Sequence, residues 1–273
     1  MPASAKPLII FSHANSFPAC TYRVLFQDLR RRGYTVAAPE LLGHDPALPV
    51  TDNWPNLVKE LAAFASPLVA KTQQGAYFVG HSMGGYLSVM LAARHPELAR
   101  GVVLLDSPLL GGWRSTALGV IKSTQLVGSV SPGAISRRRR NSWPSLEAAL
   151  EYFQRKRAFA QWKPEVLADY VQSGTRELDG KRILCFDRDI ETQIYNTLPD
   201  NLDRLLQRRP LKCPVTFIGG THSAEMKQVG MAMAEKVSKG RVFMLDGSHL
   251  FPMEKPITTA AAIEATLRGL EGQ

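Results

Sequence analysis

The chain has 273 residues, 45% of them hydrophobic, which is enough for a sizeable core and near the upper limit of one domain. Three scattered cysteines, Cys20, Cys185 and Cys213, exclude a disulfide framework or a metal knuckle, and each is expected as a small buried hydrophobe in a reducing compartment. The formal charge of +9 raises nucleic acid or an anionic surface as partner, but Arg137-Arg138-Arg139-Arg140 and Arg155-Lys156-Arg157 lack an aromatic platform or reading helix beside them. A solvated cationic face and no nucleic-acid partner are therefore expected.

In chain order, short apolar runs alternate with longer amphipathic stretches. The apolar start at 7–11 is too short for a signal peptide, and no other stretch suffices for a transmembrane segment, so a cytoplasmic protein is expected. Strands are predicted at 8–11, 34–38, 76–79 and 101–105, with helices at 22–32, 54–71 and 85–94 between them. Two more strands, 214–219 and 241–245, precede helices at 224–237 and 256–270. This rhythm implies βαβ units in an α/β fold, with a mostly parallel central sheet and helices on both faces.

Residues 108–198 break the rhythm. They have no comparable strand run, helical stretches at 145–159 and 164–173, and a loop-rich opening at Gly111-Gly112 and Ser131-Pro132-Gly133. A mostly helical cap inserted after the strand 101–105 is expected, leaving 1–107 and 199–273 as the core. Its aromatic residues Trp113, Trp143, Tyr152, Phe153, Phe159 and Trp162 are expected to pack as core.

Gly80-His81-Ser82-Met83-Gly84 joins the apolar run 77–79 to the helical stretch that starts at Gly85. A sharp strand-to-helix turn forces its central residue into strained backbone angles, and flanking glycines let neighbouring backbone pass. Ser82 is thus a candidate nucleophile, and the first N–H groups of the helix, Met83's among them, point at an oxyanion forming over it. A serine acting only as an N-cap does not account for this context. His13-Ala14-Asn15 follows the first strand, where a second oxyanion donor is expected.

With Gly247-Ser248-His249-Leu250-Phe251-Pro252 near the end, these motifs resemble the α/β-hydrolase fold family over essentially the whole chain. The resemblance implies that fold, and implies the backbone N–H of Asn15 as oxyanion donor beside that of Met83. Two features depart from it. Ala14 stands where the family has glycine, and alanine resists positive φ. The chain also starts at Pro7-Leu8-Ile9 without the leading hairpin of many relatives, so a smaller sheet is expected.

Among six histidines, His249 is the candidate base because it follows the last strand, at the same carboxyl edge as Ser82. His44, His95 and His222 sit in loops or turn openings, His13 is assigned to holding its turn, and His81 is the variable position of the elbow. For the acid, the resemblance points just past Gly220, and the residue there is Ser223. Three carboxylates compete. Asp106 ends the strand 101–105 and opens onto the Ser82 edge, and the resemblance includes members, certain dehalogenases among them, with their acid there. Glu225 lies two residues beyond the vacant position, and Asp246 is assigned to the Asp-Gly turn. Asp106 is the first choice and Glu225 the second; Asp106 as a cap of Ser107-Pro108, and a site without an acid, stay open.

The expected function is a serine hydrolase of an ester or related acyl bond in a small molecule, working through an acyl-enzyme. Serine at the elbow argues against the dehalogenase and epoxide-hydrolase branches. No Gly-rich phosphate cradle or metal-ligand spacing occurs, so no cofactor and no metal are expected. Acyl transfer, carbon–carbon hydrolysis, perhydrolysis, or an impaired ligand-binding protein on the same fold are the alternatives. Acyl size and oligomeric state are not written in these motifs.

Overall fold

The computed structural model describes residues 6–72, 74–123 and 133–271. The first half runs β1 (Leu8–Ser12), α1 (Arg23–Arg31), β2 (Thr35–Ala37), α2 (Pro55–Ala70), β3 (Ala76–His81), α3 (Met83–Arg94) and β4 (Ala99–Leu105). Next come α4 (Gly112–Ser123), α5 (Gly133–Ser136), β5 (Ser142–Trp143), α6 (Leu146–Gln154), α7 (Pro164–Ser173), β6 (Thr175–Leu178), β7 (Lys181–Leu184), α8 (Arg188–Asn196) and α9 (Leu202–Arg208). The chain then returns through β8 (Val215–Gly220), α10 (Ala224–Val229), α11 (Ala232–Ser238), β9 (Val242–Leu245), α12 (Phe251–Glu254) and α13 (Pro256–Glu271).

Six strands form one sheet in the order β2-β1-β3-β4-β8-β9, and every neighbouring pair is parallel. The period of two along each strand sorts its side chains between two cores. Leu8, Ile10, Phe78, Val102, Leu104 and Phe217 face one core with the buried sides of α2 and α3. Ile9, Phe11, Tyr77, Val79, Val103, Leu105 and Ile218 face the other, filled by Leu25, Phe26 and Leu29 of α1 and Ala260, Ile263 and Leu267 of α13. Each fully buried large side chain contributes roughly 1.5–3 kcal/mol, so both faces hold the sheet firmly. With both faces covered, the open positions are the strand ends, and β3, β4 and β8 end side by side.

The segment between β4 and β8 differs from its expected form. Besides helices it contains a three-stranded antiparallel sheet, β5-β7-β6. Asp179 (φ 50) and Gly180 (φ 69) close the β6–β7 hairpin, both left-handed as a two-residue turn requires. The stretch at Gly111-Gly112 opens helix α4 instead of a loop, while Ser131 and Pro132 lie outside the described residues. The helical stretch predicted over 145–159 ends at Gln154, and 224–237 is two helices, parted at Gly230 (φ 85). Trp143, Phe153 and Trp162 are buried, Tyr152 and Phe159 partly so; the Trp113 side chain lies outside those described.

The arginine run is not one solvated face. Arg137 and Arg138 are exposed, but Arg139 turns inward to a buried carboxylate, Glu191, at 2.9 Å, and Arg140 lies over the rings of Trp143 and Tyr152. The three cysteines are free and half-buried.

Candidate active site

Ser82 leaves β3 with φ 53 and ψ −114, a conformation that L residues avoid and that costs on the order of 1–3 kcal/mol. The surrounding packing imposes it. Its N–H still donates to the Leu105 carbonyl of β4 at 3.0 Å, while α3 starts at the next residue. The glycines make room: a Cβ on Gly80 would overlap the Gly84 carbonyl, one on Gly84 the Ser12 carbonyl, and one on Gly85 the Ser107 hydroxyl. Nearly all of α3 is buried, so the turn rests on a fixed base.

Asp106 is the counterpart of Ser82 one strand over. Its N–H extends the β4–β8 ladder to Ile218 at 2.8 Å, its φ is 40, and it is wholly buried. Oδ1 accepts from the Gly220 N–H at 2.6 Å; Oδ2 accepts from Ser223 Oγ and from His249 Nδ1, each at 2.6 Å. A carboxylate only accepts, so the His249 proton sits on Nδ1 and Nε2 is free to accept from Ser82 Oγ at 3.0 Å. The structure thus brings Ser82, His249 and Asp106 into one continuous chain.

Glu225 is exposed, and its Oε2 lies 3.5 Å from Ser223 Oγ. It acts on His249 through its charge. Burial disfavours the imidazolium of His249, but the hydrogen bond and charge of Asp106, aided by Glu225, outweigh this and raise its pKa. Asp246 is exposed and pairs with Lys255 and with His222.

The loop carrying His249 is held from two sides. The buried Glu254 of α12 accepts from both the N–H and the hydroxyl of Ser248. From below, His81 Nε2–H donates to the His249 carbonyl at 2.8 Å, and its Nδ1 accepts from Tyr22 OH at 2.7 Å. The Tyr22 oxygen in turn accepts from the Ala14 N–H at 3.1 Å, so one hydrogen-bonded line joins the loop after β1, the elbow and the His249 loop. Burial, with the neighbouring His249, pushes His81 down to about 3, keeping it neutral in this line. His13 is also buried, which pushes it down to about 4, and its Nε2 accepts from the Leu42 N–H at 2.8 Å.

Of the two expected backbone donors, Met83 directly follows Ser82, and Asn15 lies in the loop after β1. Met83 opens α3, whose first N–H groups have no helical partner. The left-handed residue in the loop after β1 is Ser16 (φ 77), so Ala14 is spared the conformation it resists. Asn15 Nδ2 donates to the Glu191 carbonyl at 3.1 Å and Ser16 Oγ to Glu191 Oε1 at 2.5 Å. Sequence reasoning missed Tyr22, Ser16, Glu191 and Glu254; for Ser223 the only signal was the vacancy itself. Among the described residues, no cluster of His, Cys, Asp and Glu is placed to hold a metal ion.

The profile of the alpha/beta hydrolase family matches residues 9–262. The chain belongs to this family. As an alpha/beta hydrolase it is similar to a pyrethroid hydrolase of Sphingobium wenxiniae, 29% identical over 119 residues, 42% of this chain and 39% of that protein. It is also similar to a monoglyceride lipase of Rattus norvegicus, 27% identical over 131 residues, 46% of this chain and 43% of that one. The matched part is less than half the length of either relative. Among solved structures, E-2-(acetamidomethylene)succinate hydrolase superposes with a TM-score of 0.71 at 22% identity, over 96% of this chain and 91% of that one. The thioesterase domain from the curacin biosynthetic pathway gives 0.72 at 17% identity, over 97% and 93%. The alpha/beta hydrolase architecture is common to all three.

Proposed function

We propose that this chain is a serine hydrolase that cleaves an ester or related acyl bond of a small molecule. The observation that carries the proposal is the unbroken chain Asp106–His249–Ser82, at 2.6 and 3.0 Å, ending on a serine held at positive φ. Relatives named as a hydrolase and a lipase support a hydrolytic use of the site.

Ser82 Oγ attacks the acyl carbonyl carbon as its proton passes to His249 Nε2. Asp106, which already accepts from Nδ1, stabilises the imidazolium that forms. The backbone N–H groups of Met83 and Asn15 receive the carbonyl oxygen as it becomes anionic. Collapse breaks the bond to the leaving group, which takes the proton back from His249 Nε2–H. Water then attacks the acyl carbon as its proton passes to His249, and collapse breaks the bond to Ser82 Oγ, which takes that proton back as the acid leaves.

Residues 108–198 serve as the cap in this proposal. Phe17, two residues past Asn15, packs against Phe159, Trp162 and Tyr170 at centroid distances of 5.5–6.5 Å, which supports a dry, size-limiting approach to Ser82. No helix among the described residues is long and apolar enough to cross a membrane, and the free cysteines suit a reducing compartment, so the cytoplasm is the proposed location.

The test is direct. A fluorophosphonate should label the protein on Ser82, and a short p-nitrophenyl ester should turn over steadily, with both signals lost in Ser82→Ala. A folded wild type that does neither ends the proposal.

A further inference from the structure

The loop after β1 is fixed by a residue of the inserted segment. Glu191, on the first turns of α8 and only 4% exposed, grips that loop twice: its carbonyl accepts from Asn15 Nδ2 and its carboxylate from Ser16 Oγ. Ser16 is the residue at φ 77, so the grip falls on the one strained link of the loop. The Glu191 carboxylate is balanced by Arg139, whose Nη1 lies 2.9 Å away and whose Nη2 donates to Tyr170 OH at 3.3 Å. Thr192, the next residue of α8, is tied to Ser136 of α5 by a hydroxyl pair at 2.8 Å, which seats α8 against the element that leads into Arg139.

Such an arrangement exceeds what cap packing needs. An ion pair that buries one carboxylate and half-buries its arginine is costly to desolvate, and an apolar pair would fill the same space. What an apolar pair would not supply is an anionic acceptor that holds the Ser16 hydroxyl, and with it the direction of the Asn15 N–H. An oxyanion donor works only if it is fixed before charge develops, and a small misplacement forfeits much of its effect.

We infer that Glu191 is a positioning residue for the oxyanion site: through Ser16 and Asn15 it sets the backbone N–H that receives the developing oxyanion, with Arg139 as its counter-charge. The cap is then part of the catalytic frame as well as a cover. The inference rests on the serine-hydrolase proposal.

The experiment measures kcat and KM for p-nitrophenyl acetate per site titrated with a fluorophosphonate, and Ki for a trifluoromethyl ketone, whose Ser82 adduct carries an oxyanion. Glu191→Ala should lower kcat by roughly 10- to 100-fold with KM nearly unchanged, and weaken the ketone in step with kcat/KM. Ser16→Ala, which removes one hydrogen bond, should shift both in the same direction by a smaller factor. The paired variant Glu191→Gln with Arg139→Met keeps a neutral acceptor for Ser16 and leaves no unpaired charge, so it should recover most of the Glu191→Ala loss. A Glu191→Ala protein of lowered Tm with wild-type kcat per titrated site and wild-type ketone affinity overturns the inference. If Glu191→Ala does not fold, an unchanged Ser16→Ala overturns it equally. A wild type that neither labels nor turns over ends the hydrolase proposal and this inference together, an outcome told apart from the others by the parent protein alone.

Discussion

The ends of β4 and β8 stand beside each other and divide one task between them. From β4 comes a charge, Asp106, wholly buried at φ 40. From β8 come two donors to that charge, the Gly220 N–H and the Ser223 hydroxyl. The resemblance places the acid on the β8 side, so the charge and its support stand exchanged. The two strand ends meet beside His249 Nδ1: Ser223 Oγ is 2.6 Å from the Asp106 oxygen that is itself 2.6 Å from His249.

The comparison breaks most sharply at the charge itself. Asp106→Asn turns an amide toward His249 Nδ1 and favours the wrong tautomer, so kcat should fall about 10⁴-fold with the Tm little changed. A loss of this size from Glu225→Gln instead would reassign the acid. The next test exchanges the ends: Asp106→Asn combined with Ser223→Asp should regain on the order of 10²-fold in kcat over Asp106→Asn alone, and no gain would mean that the two ends are not interchangeable. Ser223→Ala leaves the carboxylate short of one buried donor and strips α10 of its N-cap bond to the Met226 N–H. It should lower kcat about tenfold and cost roughly 2–4 kcal/mol of stability, read by activity assay and denaturant melt.

The smallest effect is a displacement in pH. The base must be neutral to act, so kcat/KM should rise with pH through the His249 pKa, which lies above the ordinary 6.5. Removing the nearby negative charge in Glu225→Gln withdraws one cause of that elevation. The midpoint of the acid limb should therefore move to lower pH while the plateau rate stays close to wild type. A midpoint that stays in place would show that burial and Asp106 set it without Glu225.

Ser82 and His249 could be singled out as candidates because their signals are local. A turn between glycines, and a histidine just past a final strand, are written in a few consecutive residues. The candidate acid stayed a choice because its place beside His249 depends on β4 and β8 being neighbours, and the long segment between them leaves no trace of that in the chain. Ser223 was read only as a missing charge, since a hydroxyl that serves a carboxylate from another strand has no spacing rule. The small sheet escaped for a different reason. Its strands have two to four residues and polar sequences such as Lys181-Arg182, although Asp179-Gly180 was a hairpin signal in plain view. Arg139 was lost among like neighbours, because a run of four identical charges does not say which one faces inward.

Asp106 at the end of β4 also sets how the candidate site is spread along the chain. Ser82 and Asp106 flank α3 within a single βαβ unit, β3-α3-β4, so the pairing of two adjacent strands is enough to set them side by side. His249 is 143 residues beyond Asp106 and follows β9, the last strand of the sheet. The proposed triad therefore joins a local pair to a distant third member, and the pairing of β9 with β8 is what carries His249 to the other two.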